Sequence, residues 1–228
     1  MKTILASSLL TIALILSSCT VAYFPGEINT PAFHESNEFK GGISYGTSGT
    51  NLQLGYSYYK NLAAIGSVSY LSTKGNEPQF QRSWEFGLGY FNKLHKKSNV
   101  YYEVYGGFDI SETRTSYEDQ EFTAGPGYEN ARYYRIFIQP DLSFTFDAID
   151  LVFALKLSYF RFSIYEHHSE PNPKLPRAIG FEPAFTFRIG SDNIKFKTQV
   201  GFSYVNKLSG SDFNYKEGFI YFGLAFGF

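Results

Sequence analysis

One cysteine, at position 19, rules out a disulfide within the chain. Tryptophan and methionine occur once each, so neither builds a core or a cofactor box. Charge of one sign is also missing. Lys and Arg number 20, Asp and Glu 21, and a net charge of −1 gives no general attraction to nucleic acid. The only long apolar run, Ile4 to Leu16, is too short to cross a bilayer as a helix. No Ser/His/Asp order, paired catalytic carboxylates or glycine-rich phosphate loop stands out, so no catalytic, cofactor-binding or metal residues are assigned.

What the chain has is Phe, Tyr and Gly: 24, 19 and 21 of its 228 residues. The last stretch, Gly218 to Phe228, shows how they are used. Ile220, Phe222, Leu224, Phe226 and Phe228 fall on one face; Tyr221, Gly223, Ala225 and Gly227 fall on the other. Alternation at period two is a strand signal. A soluble sheet seldom ends on an unprotected apolar edge, whereas a closed barrel in lipid has no edge and lipid solvates its apolar face.

The pattern recurs ten times: 38–45, 51–59, 62–71, 83–91, 100–110, 133–146, 151–162, 179–189, 194–204 and 219–228. Most of these are near the span of a tilted transmembrane strand, about 9–11 residues. Turns after strands two, four, six and eight are short, while 111–132 and 163–178 are long. Short periplasmic turns alternating with longer outer loops define an up-and-down outer-membrane barrel with both termini on the periplasmic side. Tyr45, Tyr70, Trp84, Tyr134, Tyr159 and Tyr204 fit an outer aromatic girdle, with Tyr58, Tyr90 and Tyr102 at the inner one. The fold class is therefore an all-β antiparallel transmembrane barrel of about ten strands.

Met1 to Ser18 has the form of a signal peptide. Its end, Leu16-Ser17-Ser18-Cys19, resembles bacterial lipoprotein signals, which implies lipidation of Cys19. Residues 19–37, with Pro25 and Pro31, read as an extended, lipid-anchored linker, and 38–228 as the barrel. Phe24-Pro25-Gly26, Thr30-Pro31-Ala32-Phe33, Glu38-Phe39-Lys40-Gly41-Gly42, Leu52-Gln53-Leu54-Gly55-Tyr56 and Tyr134-Arg135-Ile136-Phe137-Ile138-Gln139-Pro140 resemble segments of a group of Bacteroidota outer-membrane barrels of unknown role. The resemblance implies the outer membrane and no activity.

The inward face holds Lys40, Glu85, Glu103, Asp109, Arg135, Asp141, Lys156, Glu182, Arg188, Lys195 and Lys197. Buried charges persist when paired. The expected network comprises Glu103, Asp109, Arg135, Asp141, Lys156, Glu182 and Arg188. Turn lengths place Asp109 opposite Arg135, Asp141 opposite Lys156, and Arg188 opposite Lys195. Pro140 and Pro183 predict a bulge or break. His167 and His168 sit in a polar outer loop, with no third element to hold a metal.

The expected function is a non-enzymatic outer-membrane barrel with a structural or surface-interacting role and a lumen filled by charges. The alternative is a narrow pore or transporter for small solutes; an embedded enzyme and a soluble lipocalin-like lipoprotein rank below it. The partners are outer-membrane lipid and, through the acidic loop 111–132, lipopolysaccharide or a protein.

Overall fold

The computed structural model describes residues 21–227 apart from 75–77, 96, 118–126, 169, 171 and 192. Cys19 and the signal segment lie outside these residues. Eleven strands form the wall: β1 (Phe39–Gly46), β2 (Gly49–Tyr59), β3 (Leu62–Ser72), β4 (Gln79–Lys93), β5 (Val100–Tyr117), β6 (Gly127–Thr145), β7 (Ile149–His167), β8 (Arg177–Gly190), β9 (Ile194–Phe202), β10 (Tyr204–Ser209) and β11 (Gly218–Gly227). Each pairs antiparallel with its neighbours, and β9 closes the circle between β11 and β8. β9 and β10 are one stave interrupted at Ser203: Gly201 pairs with Ala184 and Tyr204 with Phe181, so the register runs through unchanged. The result is a closed antiparallel barrel of ten staves, in agreement with the count expected from sequence.

Alternation decides which side each residue faces. In β2, Leu52, Leu54 and Tyr56 are exposed on the outer wall, while Asn51, Gln53 and Ser57 are buried inside. An apolar outside and polar inside is the inverse of a soluble barrel, and only a hydrocarbon solvent makes it favourable.

The long loop expected at 111–132 is largely strand, and that at 163–178 is strand at both ends. β5 continues to Tyr117, β6 begins at Gly127 and β7 runs to His167. These extensions carry polar residues on both faces, such as Glu112, Thr113, Arg114 and Thr115, and so lack the apolar stripe used to draw the boundaries. The acidic residues Glu118, Asp119 and Glu121 fall outside the described residues.

Two registers differ from expectation. The β6–β7 turn is tight, with Phe146 and Ile149 exchanging backbone hydrogen bonds. Asp141 therefore faces Ala154, not Lys156. Likewise Arg188 faces Lys197, not Lys195, which lies opposite Gly190. Asp109 does lie opposite Arg135. Neither proline shifts the register. On the β7 side of β6 the ladder skips Gln139 and Pro140 between the Ile138–Leu157 and Asp141–Ala154 pairs, and it runs unbroken past Pro183.

Candidate functional site: the occupied lumen

The segment expected to be a linker is extended, but it runs inside the barrel. Val21, Ala22, Tyr23, Phe24, Ile28, Ala32 and Phe33 are all at most 2% exposed. The strap starts among the long strand extensions, where Ala22 N–H donates to Asn214 O (2.9 Å) and Lys216 N–H to Tyr23 O (3.0 Å). It ends at the short-turn end, where His34 meets Thr145 before β1 begins. The first described residue is thus at the end opposite to the start of β1, while the barrel's first strand begins and its last strand ends together on the short-turn side, as expected.

A buried extended backbone needs partners for its polar groups. The wall supplies many of them through uncharged side chains. Thr113 donates to Ala22 O (2.8 Å), Gln81 to Phe24 O (3.1 Å) and Gln139 to Asn29 O (2.8 Å). The Gln199 amide meets Ile28 on both sides: it accepts from Ile28 N–H at 2.7 Å and donates to Ile28 O at 2.9 Å. Asn29 donates back to the wall carbonyls of Leu54 and Gly66, both at 3.0 Å. Pro25 and Pro31 remove two donors that would otherwise need partners. At Ala32 the backbone is left-handed (φ 57°). This turns two successive N–H groups, of Ala32 and Phe33, onto the Glu103 carboxylate at 3.3 and 2.7 Å, an anion-holding nest of main-chain donors.

The ionic partners lie in layers. Nearest the long-strand end, Arg135 donates to Tyr23 Oη (2.7 Å) and Glu182 (2.9 Å), and it lies 3.4 Å from Glu85 and 3.6 Å from Asp109. Tyr23 Oη also donates to Glu182. Lys156 binds Glu85 at 2.7 Å, the partner it takes in place of Asp141. Asp141 instead accepts from Gln139 at 2.8 Å, and faces Glu103 across the ladder. Further down, Lys197 pairs with Glu27 of the strap at 2.8 Å, and Arg188 donates to Thr30 O and to Thr30 Oγ1. Asp150 meets both Lys195 (2.9 Å) and Arg188 (4.0 Å), which places an acid between the like charges of that rim.

Apolar clusters flank this polar region at the two ends of the strap. Tyr23 packs edge-on against Tyr133 and Phe160 at one end. Phe33 packs with Ala63, Ile65, Phe91, Tyr105 and Phe137 at the other. Gly55 makes room for it, since a Cβ there would come 2.9 Å from the Phe33 ring. The space left beside the Arg135 cluster is about 10 Å³, room for one water at most. Beside the strap from Asn29 to His34 the lumen opens into a polar vestibule of about 480 Å³, lined by Lys40, Asp150, Arg188 and Lys195 among others.

His34 stands in this vestibule. Burial holds its imidazole below the usual range; Lys40 acts in the same sense, and Glu38 and Asp150 oppose it. The folded chain therefore resists a proton that the unfolded chain accepts near pH 6.5. His34 stabilises the fold above that value, and its contribution is lost as pH falls towards the lower folded pKa. On acidification from about pH 7.5 to 5.5, the melting temperature of the wild type should fall further than that of His34→Asn. Equal falls would contradict this.

At the long-strand end, a second cavity of about 490 Å³ is bordered by Tyr165, His167, Glu170, Lys174, Lys207, Ser211 and Asp212. Tyr165 Oη donates to Glu129 (2.9 Å) and Ser211 to Glu170 (2.8 Å). His168 instead lies against the Tyr128 ring, so the adjacent histidines do not act on one point. Among the described residues, no group of three or more His, Cys, Asp or Glu is placed to hold a metal.

A closed antiparallel barrel with an apolar wall and a polar filling is of the outer-membrane type. Among solved structures, the chain is similar to the outer membrane protease OmpT from Escherichia coli, with a TM-score of 0.53 at 11% identity over 89% of this chain and 99% of that one. At that identity the likeness is one of fold. No family model matches the chain, and no curated protein does.

Proposed function

We propose that this chain is an outer-membrane lipoprotein whose barrel is sealed by its own N-terminal strap, and whose role is structural or surface-interacting, not catalytic. The supporting observation is the strap: wall side chains hold its backbone from Ala22 to Phe33, and apolar clusters pack around its Tyr23 and Phe33. A lumen filled in this way is unsuited to solute passage. The long-strand end is the outer one, and the vestibule opens to the periplasm. Val21 lies at the outer end, so a lipid on Cys19 is attached within about 7 Å of chain from that end.

The test is expression in an outer-membrane host with labelled palmitate. The expected result is a carbonate-resistant protein with a heat-dependent gel shift, carrying label that Cys19→Ser abolishes. Release by carbonate without a shift would remove the barrel reading; label unchanged in Cys19→Ser would remove the lipoprotein reading.

A second reading rests on the outer cavity beside Tyr165, His167 and Glu170. The structurally similar barrel is a protease, and a cleft of this size at the outer end is where an embedded enzyme would meet substrate. Peptide cleavage by the purified chain, lost in His167→Ala, would favour it over the structural role.

A further inference from the structure

The outer wall carries an unusual charge distribution one step beyond the outer aromatic girdle. Arg82 precedes Trp84 on the outward face of β4, and Arg132 precedes Tyr134 on β6; Arg161 follows Tyr159 on β7, and Arg177 precedes Ile179 on β8. Between Arg82 and Arg132, β5 supplies Glu112, which lies opposite both. Glu112 contacts Arg82 (3.1 Å), Arg114 (2.5 Å) and Arg132 (3.6 Å), so three guanidinium groups share one carboxylate.

Arg161 and Arg177 have no such partner. They face each other directly across the β7–β8 ladder, both exposed. Among the described residues, neither side chain makes an ion pair or hydrogen bond. Like charges placed opposite one another in a sheet repel, and a shared anion between them removes the repulsion. Five adjacent staves thus present a cationic arc at the height where lipid headgroups meet the wall.

We propose that this arc binds the phosphate groups of a phosphorylated outer-leaflet lipid of the lipid A class, with Arg161 and Arg177 clasping one phosphate and Arg132 and Arg82 extending the contact. Guanidinium groups suit phosphate because their planar fork donates two parallel hydrogen bonds. The lipid's acyl chains would lie along the exposed girdle and apolar wall below. The inference rests on the outer-membrane reading, and it moves the lipopolysaccharide contact expected of the acidic loop 111–132 to arginines on the wall.

The test uses the full chain refolded in a neutral detergent, with diphosphorylated lipid A as probe and native mass spectrometry as readout. The heat-dependent gel shift reports separately whether each variant is a folded barrel. The wild type should retain lipid A in preference to phosphatidylcholine. Arg161→Gln with Arg177→Gln should weaken retention about tenfold or more, and Arg161→Lys with Arg177→Lys should restore much of it. Lys60→Gln with Lys93→Gln, at the opposite rim, should change nothing. If the double glutamine variant lacks the heat shift, Arg132→Gln is read in its place, with the same direction expected. Folded glutamine variants that retain lipid A like the wild type would overturn the proposal. So would competition by inorganic phosphate at the same concentration, which would make the site one for the free anion. Absence of the heat shift from the wild type itself would instead sink the membrane-barrel reading.

Discussion

Replacing Arg135 by alanine is expected to cost about 3–5 kcal/mol of folding stability, the range for removing one partner from a buried ionic cluster. Glu182, Glu85 and Asp109 all approach this guanidinium, and each of the three side chains is at most 5% exposed. Lys156 remains for Glu85, but Asp109 and Glu182 would lose their cation. Arg135 also lies over the rings of Tyr23 and Phe160, so the truncation leaves a void against the strap. Denaturant unfolding in micelles measures the cost. Combining Arg135→Met with Asp109→Asn and Glu182→Gln should recover a large part of it, because the uncompensated charges go together. A loss under about 1 kcal/mol for Arg135→Ala would mean that the cluster is solvated and the lumen open.

Deleting residues 21–33 should convert a silent barrel into a conducting one. The segment occupies the lumen between the outer cavity and the periplasmic vestibule. Its removal exposes Lys197, Arg188 and Glu103, three of the charged side chains that now bind it, and water can solvate them in the widened lumen. The variant should therefore still show a heat-dependent shift while giving stepwise conductance in planar bilayers, where the intact chain gives none. Equal conductance from both chains would show that the strap does not fill the lumen in the membrane.

The wall was legible in the sequence because lipid on one side and polar filling on the other impose a strict period of two. Leu52, Leu54 and Tyr56 against Gln53 and Ser57 leave little ambiguity. Charges on the inward face were equally visible, and Asp109 opposite Arg135 followed from counting. Counting failed at the 147–150 turn, because Ile149 and Asp150 fit a strand as well as a turn. The displacement moved Lys156 from Asp141 to Glu85.

The strap was not legible, because a short segment with two prolines and no periodicity looks the same inside a barrel as outside one. Two signals bear on it in retrospect. Val21 to Phe24, Ile28 and Phe33 are more apolar than a solvated linker requires. Gln81, Thr113, Gln139 and Gln199 are uncharged residues that point inward, and each serves the strap backbone. Of the arginines beyond the girdle, Arg161 closed an expected strand, whereas Arg82, Arg132 and Arg177 fell in expected connections, because their strands become polar on both faces there.

Hydrogen–deuterium exchange across residues 21–33 of the folded, membrane-inserted protein tests the central claim most directly. The N–H groups of Ala22, Ile28, Ala32 and Phe33 are bound to the wall or its loops. The account predicts slow exchange for peptides covering them, comparable with that of the wall strands, and loss of protection only when the barrel unfolds. Exchange as fast as in an unstructured peptide, with the wall still protected, would place the segment outside the barrel and contradict the account.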